Sequence, residues 1–451
     1  MNSSDRLREL GLFDARAPRY TSYPPANHFQ TGGFGNQTAQ WLRTVPAGGR
    51  VSLYLHVPYC RRLCWFCACR TQGTATDRPL VPYVKLLKQE LALIDQHLPQ
   101  DVVISQIHLG GGTPTILPPH LIAEVGKMVN TFRPLADDLE FSVEIDPTEV
   151  DQDRIDALAA IGMTRASIGV QDFDPIVQKS IGRDQSFDQT RDVVAMLRRA
   201  RVHSVNMDIL YGLPFQTKER ISDSVQRVLS LNPDRVALYG YAHVPWMAKR
   251  QALIPADALP DAETRLVLFD TARELFMWDG YKEIGIDHYA RPSDSLYKAA
   301  QQGRMHRNFQ GYTDDTAPVL IGLGASAISR FPQGFAQNES ASSKYATMIE
   351  NGQIATARAH AMTDDDLLRS DMIERLMCDF RLDLNMLAST HGRSVEDLLQ
   401  MTSAMRTQFH DQMTMRDNII QLNDHARLIA RLCAQKIDAY SMPEGRHSRA
   451  L

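Results

Sequence analysis

From residue 51 onward the chain alternates two hydrophobic rhythms. Short β-type runs recur: "SLYLHV" at 52–57, "ISQIHLG" at 104–110, "LEFSVEID" at 139–146, "RASIGVQ" at 165–171, "SVNMDILYG" at 204–212 and "RVALYGYA" at 235–242. Between them apolar residues fall at helical spacing. After the first run Val84, Leu87, Leu91, Ile94 and Leu98 share one face. Further helices are expected near 119–131, 151–161, up to about 201, near 217–230 and near 261–278. Six strands alternating with helices predict a parallel sheet, because parallel neighbours need a crossover connection. Polar or glycine-rich residues stand at or just beyond most of these strands: His56, Gly110–Gly112, Glu144–Asp146 and Gln171, with Asp208 inside the fifth. A doubly wound sheet and a barrel both accommodate chemistry at strand C-termini, but a ring around one mouth favours a barrel. The expected fold is α/β, a partial (βα)6 TIM-type barrel.

The flanks read differently. Residues 1–36 are polar and Pro-rich, and predict an arm without a core of its own that packs over the active site. The catalytic barrel is expected over 37–330. Over 331–451 the pattern predicts a mostly helical C-terminal domain. Thr363 with Asp366, and Ser394 with Asp397, look like helix starts. Leu368, Met372, Leu376 and Phe380 follow the first at helical spacing, "NIIQL" is a short strand, and Asp424 opens a last helix.

Composition narrows the functional classes. With 451 residues and 43% hydrophobic content the chain can bury a large core. The net charge is -4 and no basic run occurs, so nothing points to nucleic acid. No apolar stretch of about 18 residues predicts a membrane span, and "MNSSDRLREL" leads into no signal-type run. Of six cysteines, four lie in "CRRLCWFCAC", at Cys60, Cys64, Cys67 and Cys69. Cys378 and Cys433 stand alone in apolar helical patterns and read as buried small hydrophobes. A disulfide framework would spread its cysteines, so the chain is expected to be cytoplasmic and its cluster metal-binding or catalytic.

Thiolates at C-x3-C-x2-C spacing can hold three irons of one cubane and leave the fourth open to a small molecule. Structural zinc is the alternative, since four cysteines could close a tetrahedron, although zinc knuckles are normally well separated in sequence. "GGGTPT" at 110–115 ends the second strand, where glycine backbone can approach a ligand closely or simply turn the chain.

The cysteine spacing after the first strand, joined to "GGGTPT", resembles the radical S-adenosylmethionine enzymes. Within that superfamily "PRYTSYPP" (18–25), the extra Cys69, "VEIDP" (143–147), "SIGVQDF" (167–173), "IGRDQ" (181–185), "NMDILYGLPFQT" (206–217), "IGIDHYARP" (284–292), "HRNFQGYT" (306–313) and "IGLGASAIS" (321–329) are similar to the oxygen-independent coproporphyrinogen III oxidase (coproporphyrinogen dehydrogenase) family. The resemblance spans nearly the whole chain.

It implies that Cys60, Cys64 and Cys67 ligate a [4Fe–4S] cluster, with Cys69 near the active site but not a ligand. It implies two molecules of S-adenosylmethionine, held at Tyr54, Phe66, Gly111, Gly112, Thr113, Glu144, Gln171, Arg183, Asp208, Ala242 and Ile328. Carboxylates such as Glu144 and Asp208 can accept from ribose hydroxyls or an amino group, and Arg183 can grip a methionine carboxylate. It further implies that a 5′-deoxyadenosyl radical initiates oxidative decarboxylation of the ring A and B propionates of coproporphyrinogen III to vinyl groups, in haem biosynthesis. Arg19, Tyr20, His56 and Arg307 are the candidate holders of substrate carboxylates. An external one-electron donor, an electron acceptor and a monomeric state complete the expectation. A haem chaperone of the same ancestry, or a radical enzyme that modifies haem, is the rival reading. The chaperones typically lack the fourth cysteine and the "PRYTSYPP" arm.

Overall fold

The computed structural model describes residues 3–440. Arg50–Val57 (β1), Val103–Gly111 (β2), Leu135–Ile145 (β3), Arg165–Gln171 (β4), Ser204–Tyr211 (β5) and Arg235–Gly240 (β6) lie side by side in chain order. Every neighbouring pair among them is parallel. The crossovers carry helices, among them Leu80–Asp95, Pro119–Asn130, Gln152–Ala160, Phe187–Arg199 and Lys218–Ser230. Several begin where the sequence supplies a cap. Asp151 accepts from the Arg154 N–H, Thr217 from the Arg220 N–H, and Ser186 forms a reciprocal box with Gln189.

Period-2 alternation along each strand separates two environments. Val51, Leu53, Leu55 and Val57 of β1 are at most 1% exposed and belong to the main apolar core. Each stabilises the fold by about 1.5–3 kcal/mol relative to exposure. The intervening Ser52, Tyr54 and His56 instead face a polar interior shared with Gln106, His108, Ser142, Glu144, Ser167 and Asp208. Side chains from all six strands border one cavity, which a flat sheet could not achieve, so the sheet is curled as a partial barrel.

The sheet is wider than the six expected strands. Beyond β6 come antiparallel Lys282–Ile284 (β7) and His288–Ala290 (β8), the latter paired with β6. On the other edge Val319–Leu323 (β9) pairs parallel with β1. Ile328–Phe331 (β10), Gly334–Asn338 (β11) and Thr356–Ala361 (β12) then add on antiparallel, and Gln30–Thr31 completes a 13-stranded sheet. Residues 334–361 extend the barrel sheet past the boundary expected at residue 330. "GFAQN" and "TARAHA" carry no apolar run, and their strand character comes from an edge that needed backbone partners.

The helical region starts at Asp364. Helix Asp364–Cys378 opens on a capping box of Thr363 and Asp366, and Val395–Met401 on one of Ser394 and Asp397. A three-stranded antiparallel sheet of Arg381–Asp383, Ile419–Leu422 and Met413–Arg416 lies among these helices. The helix expected from Asp424 is instead a 3-10 segment, Asp424–Ile429, continued by the helix Ala430–Gln435.

Residues of the N-terminal segment join this C-terminal core. Leu7, Leu10, Leu12, Phe13, Ala17, Tyr20 and Tyr23 are buried in one cluster with Leu368, Met372, Leu376 and Cys433. Among the described residues no helix is long and apolar enough to cross a membrane.

Candidate active site

Residues along the inner faces of the strands and the segment after β1 surround a cavity of about 520 Å3. The segment Pro58–Gly73 carries the four clustered cysteines and is fixed at several points. Trp65 N–H donates to Ile181 O at 2.9 Å, Gln72 N–H to Pro58 O at 2.8 Å and Thr74 N–H to Cys60 O at 3.0 Å. Cys60 and Cys64 are buried and Cys67 is half-buried. Cys69 is exposed by area, but the space it faces is the cavity.

Electrostatics distinguish the thiols. Burial pushes Cys60 up to about 11, against a hydrogen bond with Thr113. Burial also raises Cys64, opposed by Arg183, whose Nη1 lies 3.5 Å from its Sγ. Cys67 goes the other way. A hydrogen bond from the Cys69 thiol lowers it to about 6, so it is the sulfur most ready to become a thiolate.

The glycine run of β2 is pressed against this loop. A Cβ on Gly111, whose φ is +115, would stand 2.7 Å from His56 Nδ1. One on Gly112 would stand 2.7 Å from Tyr59 O and 3.0 Å from Cys60 Sγ. Only bare backbone fits between β2 and the cysteines. The donor set suits an iron–sulfur cubane, because the three thiols come from one loop beside a buried guanidinium. Among the described residues no His, Cys, Asp or Glu group converges on a single metal ion, and thiolates that each serve a separate iron need no such convergence.

Across the cavity wall Tyr54 OH lies 2.9 Å from His56 Nδ1, and His56 Nε2 lies 3.3 Å from Arg70 O. Burial lowers the His56 pKa. The imidazole is therefore neutral, donating from Nε2 and accepting at Nδ1. Glu144 accepts from the Gly111 N–H at 2.9 Å and approaches His108 Nε2 at 3.3 Å. Burial works against its charge, yet His108 and that N–H hold it below the ordinary carboxylate range. Asp208 accepts from Asn206 Nδ2 at 2.8 Å and from Ser167 at 3.4 Å. Burial dominates there and raises its carboxyl to about 6.

Asp208 therefore carries a pH prediction. If its ionised form accepts from a cofactor, affinity for S-adenosylmethionine should weaken about tenfold between pH 7 and pH 5, as protonation passes through about 6. Asp208→Asn should flatten that dependence. Equal affinity of the unmodified protein at both pH values would remove Asp208 from the binding set.

Phe66 and Ala242 are brought together by Gln251, whose Nε2 donates to Phe66 O at 2.7 Å and to Ala242 O at 3.1 Å. Thr113 is buried, with its N–H on Tyr59 O at 2.9 Å. Ile328 lines the main cavity with Tyr54, Gly111, Glu144 and Asp208. Gln171 ends β4 at φ 68 and lies near Gly169 beside Arg183 rather than in the cavity wall.

Two of the expected contact residues make well-defined contacts within the protein. Arg183 is only 8% exposed and already engaged: Nε donates to Gln185 Oε1 at 2.9 Å, Nη2 to Gly169 O at 2.7 Å, and Nη1 sits 3.4 Å from Asp146. It supports the cysteine loop directly. Tyr20 donates its hydroxyl to Asp438 at 3.0 Å, which fixes the arm to the C-terminal segment. Arg19 and Arg307 do meet: Arg307 Nε donates to Arg19 O at 3.4 Å, and Arg19 Nη2 to Gly240 O at 2.9 Å.

Sequence reasoning missed His108, Asn206, Tyr239 and His288 among the cavity residues. A signal was present for the first two. They are polar at alternate positions of otherwise apolar strands, the mark of an inward-facing row. Tyr239 sits in the expected sixth strand, on the same alternating row as Ala237, whereas His288 had no signal, because the pairing of β8 with β6 is a tertiary event.

Residues 54–228 match the family model described as the radical SAM superfamily. An oxygen-independent coproporphyrinogen III oxidase of Paracoccus denitrificans is 52% identical over 451 residues, covering 100% of both chains. One of Cereibacter sphaeroides is 50% identical over 440 residues, 98% of each. Among solved structures the coproporphyrinogen III oxidase HemN of Escherichia coli, described as a radical SAM enzyme, superposes with a TM-score of 0.89. That match has 34% identity and covers 94% of this chain and 98% of the other. With half its residues shared over its full length, and the cysteine loop seated at the mouth of a partial barrel, this chain belongs to the oxygen-independent coproporphyrinogen III oxidase family of radical SAM enzymes.

Proposed function

We propose that the chain converts the ring A and B propionates of coproporphyrinogen III to vinyl groups, giving protoporphyrinogen IX without oxygen, and that the cavity between Cys69 and Arg19 is where it does so. The observation that carries this reading is one chamber bordered both by the cysteine loop, at Cys69 and Arg70, and by a cationic arm residue, Arg19. When bound, a reduced [4Fe–4S] cluster with S-adenosylmethionine would supply the radical chemistry that oxidises a propionate side chain with loss of CO2.

The protein's part is positional. Cys60, Cys64 and Cys67 would hold the cluster, and Gly111 and Gly112 would let backbone approach a ligand beside them. Glu144 and Asp208 accept from the cofactor's polar hydrogens, while Phe66, Ala242 and Ile328 border its apolar parts. Cys69 lies beside Cys67 and lowers that thiol. His56 stays neutral, which keeps a charge away from the reacting carbon. Arg19 and Arg307 hold substrate carboxylates, and the arm shuts water out. The reading includes an external one-electron donor, an electron acceptor, and a cytoplasmic monomer.

Anaerobic incubation of the reconstituted protein with coproporphyrinogen III, S-adenosylmethionine and reductant tests it. Protoporphyrin fluorescence after oxidation is the expected result. Stable haem binding with no protoporphyrin would make the chain a chaperone instead.

Two propionates react and one cluster leaves one iron open, so we include a second S-adenosylmethionine beside the first. Equilibrium binding should give a stoichiometry of two for the wild type. Arg183→Gln should retain the first cofactor and lose the second, because a guanidinium that borders Asp146 and Cys64 also sets the shape of the space next to them. A wild-type stoichiometry of one removes the second site.

A further inference from the structure

Glu90 is a buried acid to which the chemistry described so far gives no part. It lies on helix Leu80–Asp95, the first crossover, and is 2% exposed. Three neutral donors converge on it. The Gly324 N–H and the Tyr345 hydroxyl each donate to Oε2 at 2.7 Å, and Asn338 Nδ2 donates to Oε1 at 2.6 Å. Burial pushes the carboxyl up to about 7 against these three bonds. An acid in this position is a costly way to hold a fold together, because an apolar side chain would fill the same space without being desolvated.

What Glu90 holds lies at the main cavity. Gly324 opens the turn between β9 and β10, and Ser326, Ala327 and Ile328 line the cavity together with Tyr54 and His56. Both backbone groups of Gly324 are engaged, the N–H by Glu90 and the carbonyl by Asn338 Nδ2 at 3.0 Å. Tyr83 stands two turns before Glu90 on the same face of the helix and makes a second tie. Its hydroxyl donates to His56 O at 2.7 Å and accepts from the Ala325 N–H at 3.0 Å. The packing leaves no slack. Gly324 has a φ of +98, and a Cβ there would stand 2.5 Å from the Tyr83 hydroxyl and 2.7 Å from His56 O. One helix face thus ties the turn before Ile328 to the strand end before the cysteine loop.

Resting on the reading that Tyr54 and Ile328 border S-adenosylmethionine, we propose that Glu90 is a positioning residue for that cofactor: through Gly324 it sets where the Ser326–Ile328 wall stands against Tyr54 and His56. Glu90 itself is not among the residues that line the cavity. Without its acceptor the buried Gly324 N–H has no partner, and the turn must shift to find one. That shift moves Ile328. Arg19 and Arg307, the holders of substrate carboxylates, lie on other segments, so porphyrin binding should not follow.

Glu90→Met fills the space and accepts nothing. Glu90→Gln keeps one oxygen that can accept from the Gly324 N–H. Equilibrium binding to the anaerobic, cluster-loaded protein should show S-adenosylmethionine held about tenfold or more weakly by Glu90→Met, and within about threefold of wild type by Glu90→Gln, as for outer groups that orient a binding residue. The change that the cofactor produces in the electron paramagnetic resonance spectrum of the reduced cluster should need correspondingly more cofactor. Coproporphyrin III affinity and cluster absorbance should stay at wild-type values. Tyr345→Phe removes one donor and leaves the Gly324 bond, so it should lower the melting temperature without changing cofactor affinity. A lower melting temperature with unchanged cofactor affinity in Glu90→Met would make Glu90 a fold residue only and overturn the proposal. If Glu90→Met does not fold, Tyr83→Phe decides: it loses both ties of the same helix face, and wild-type cofactor affinity there would overturn the proposal as well. A wild type that binds no S-adenosylmethionine would sink the cofactor reading and the proposal together, whereas equal binding by wild type and Glu90→Met sinks the proposal alone.

Discussion

Alanine at any one of Cys60, Cys64 or Cys67 is expected to abolish the cluster's visible absorbance and all porphyrinogen turnover, while alanine at Cys69 keeps the absorbance. The three differ from the fourth in position. Cys60 and Cys64 are buried in the loop that closes over Gly112, and Cys67 follows them, whereas Cys69 faces the main cavity. A cubane bound through three thiolates has no spare protein ligand, so one deletion leaves two irons uncoordinated by protein. Cys69 acts through its neighbour. Its S–H lowers the Cys67 thiol from its ordinary value. Turnover of Cys69→Ala should fall by about 10–100-fold, the range for a group that orients a metal ligand. Iron analysis, absorbance and product fluorescence check all four variants together. Equal iron loss in the four would make Cys69 a ligand.

Deleting residues 1–36 is expected to cost stability as well as activity. Leu12 is fully buried, and Leu7, Leu10, Phe13, Ala17, Tyr20 and Tyr23 lie beside Leu368, Met372 and Leu376 in one apolar cluster. Large side chains of this kind contribute about 1.5–3 kcal/mol each. Their loss together approaches the ~5–15 kcal/mol by which whole domains are stable. Polar ties go with them, including Tyr20 to Asp438, the Tyr23 hydroxyl accepting from the Ala439 N–H at 2.9 Å, and the Arg431 bond to Pro18 O. The truncated chain should unfold at least about 10 °C lower and turn over no porphyrinogen. The cysteine loop, pinned by Ile181 and Arg183, should still take up iron in the fraction that folds. Arg19→Gln separates the two effects: it should keep the melting temperature and raise the KM for substrate. A truncated protein with wild-type melting and turnover would make the segment dispensable.

The sequence by itself determined what local chemistry and periodicity control. The six parallel strands stand where the apolar runs stand. The boxes at Thr363–Asp366 and Ser394–Asp397 open helices, since a cap needs only its own first turn. The cysteine spacing and the glycine run named the chemistry, because ligands within ten residues of one another require no fold to bring them together. Strand residues such as His56, Glu144 and Asp208 were legible for a related reason: alternation along a strand fixes which side chains share a face.

What only the tertiary structure decided is which distant segments meet. β9 lies against β1 across more than two hundred and fifty residues of chain, and β11 and β12 are polar edge strands whose identity comes from their partners. Arg183 carries the same residue type wherever it packs; the folded chain places it on Cys64 and Asp146. Glu90 and Gly324 are unremarkable singly and far apart in sequence. Their contact depends on the first crossover helix packing beside the turn after β9, and contacts of such range leave no periodic trace along the chain.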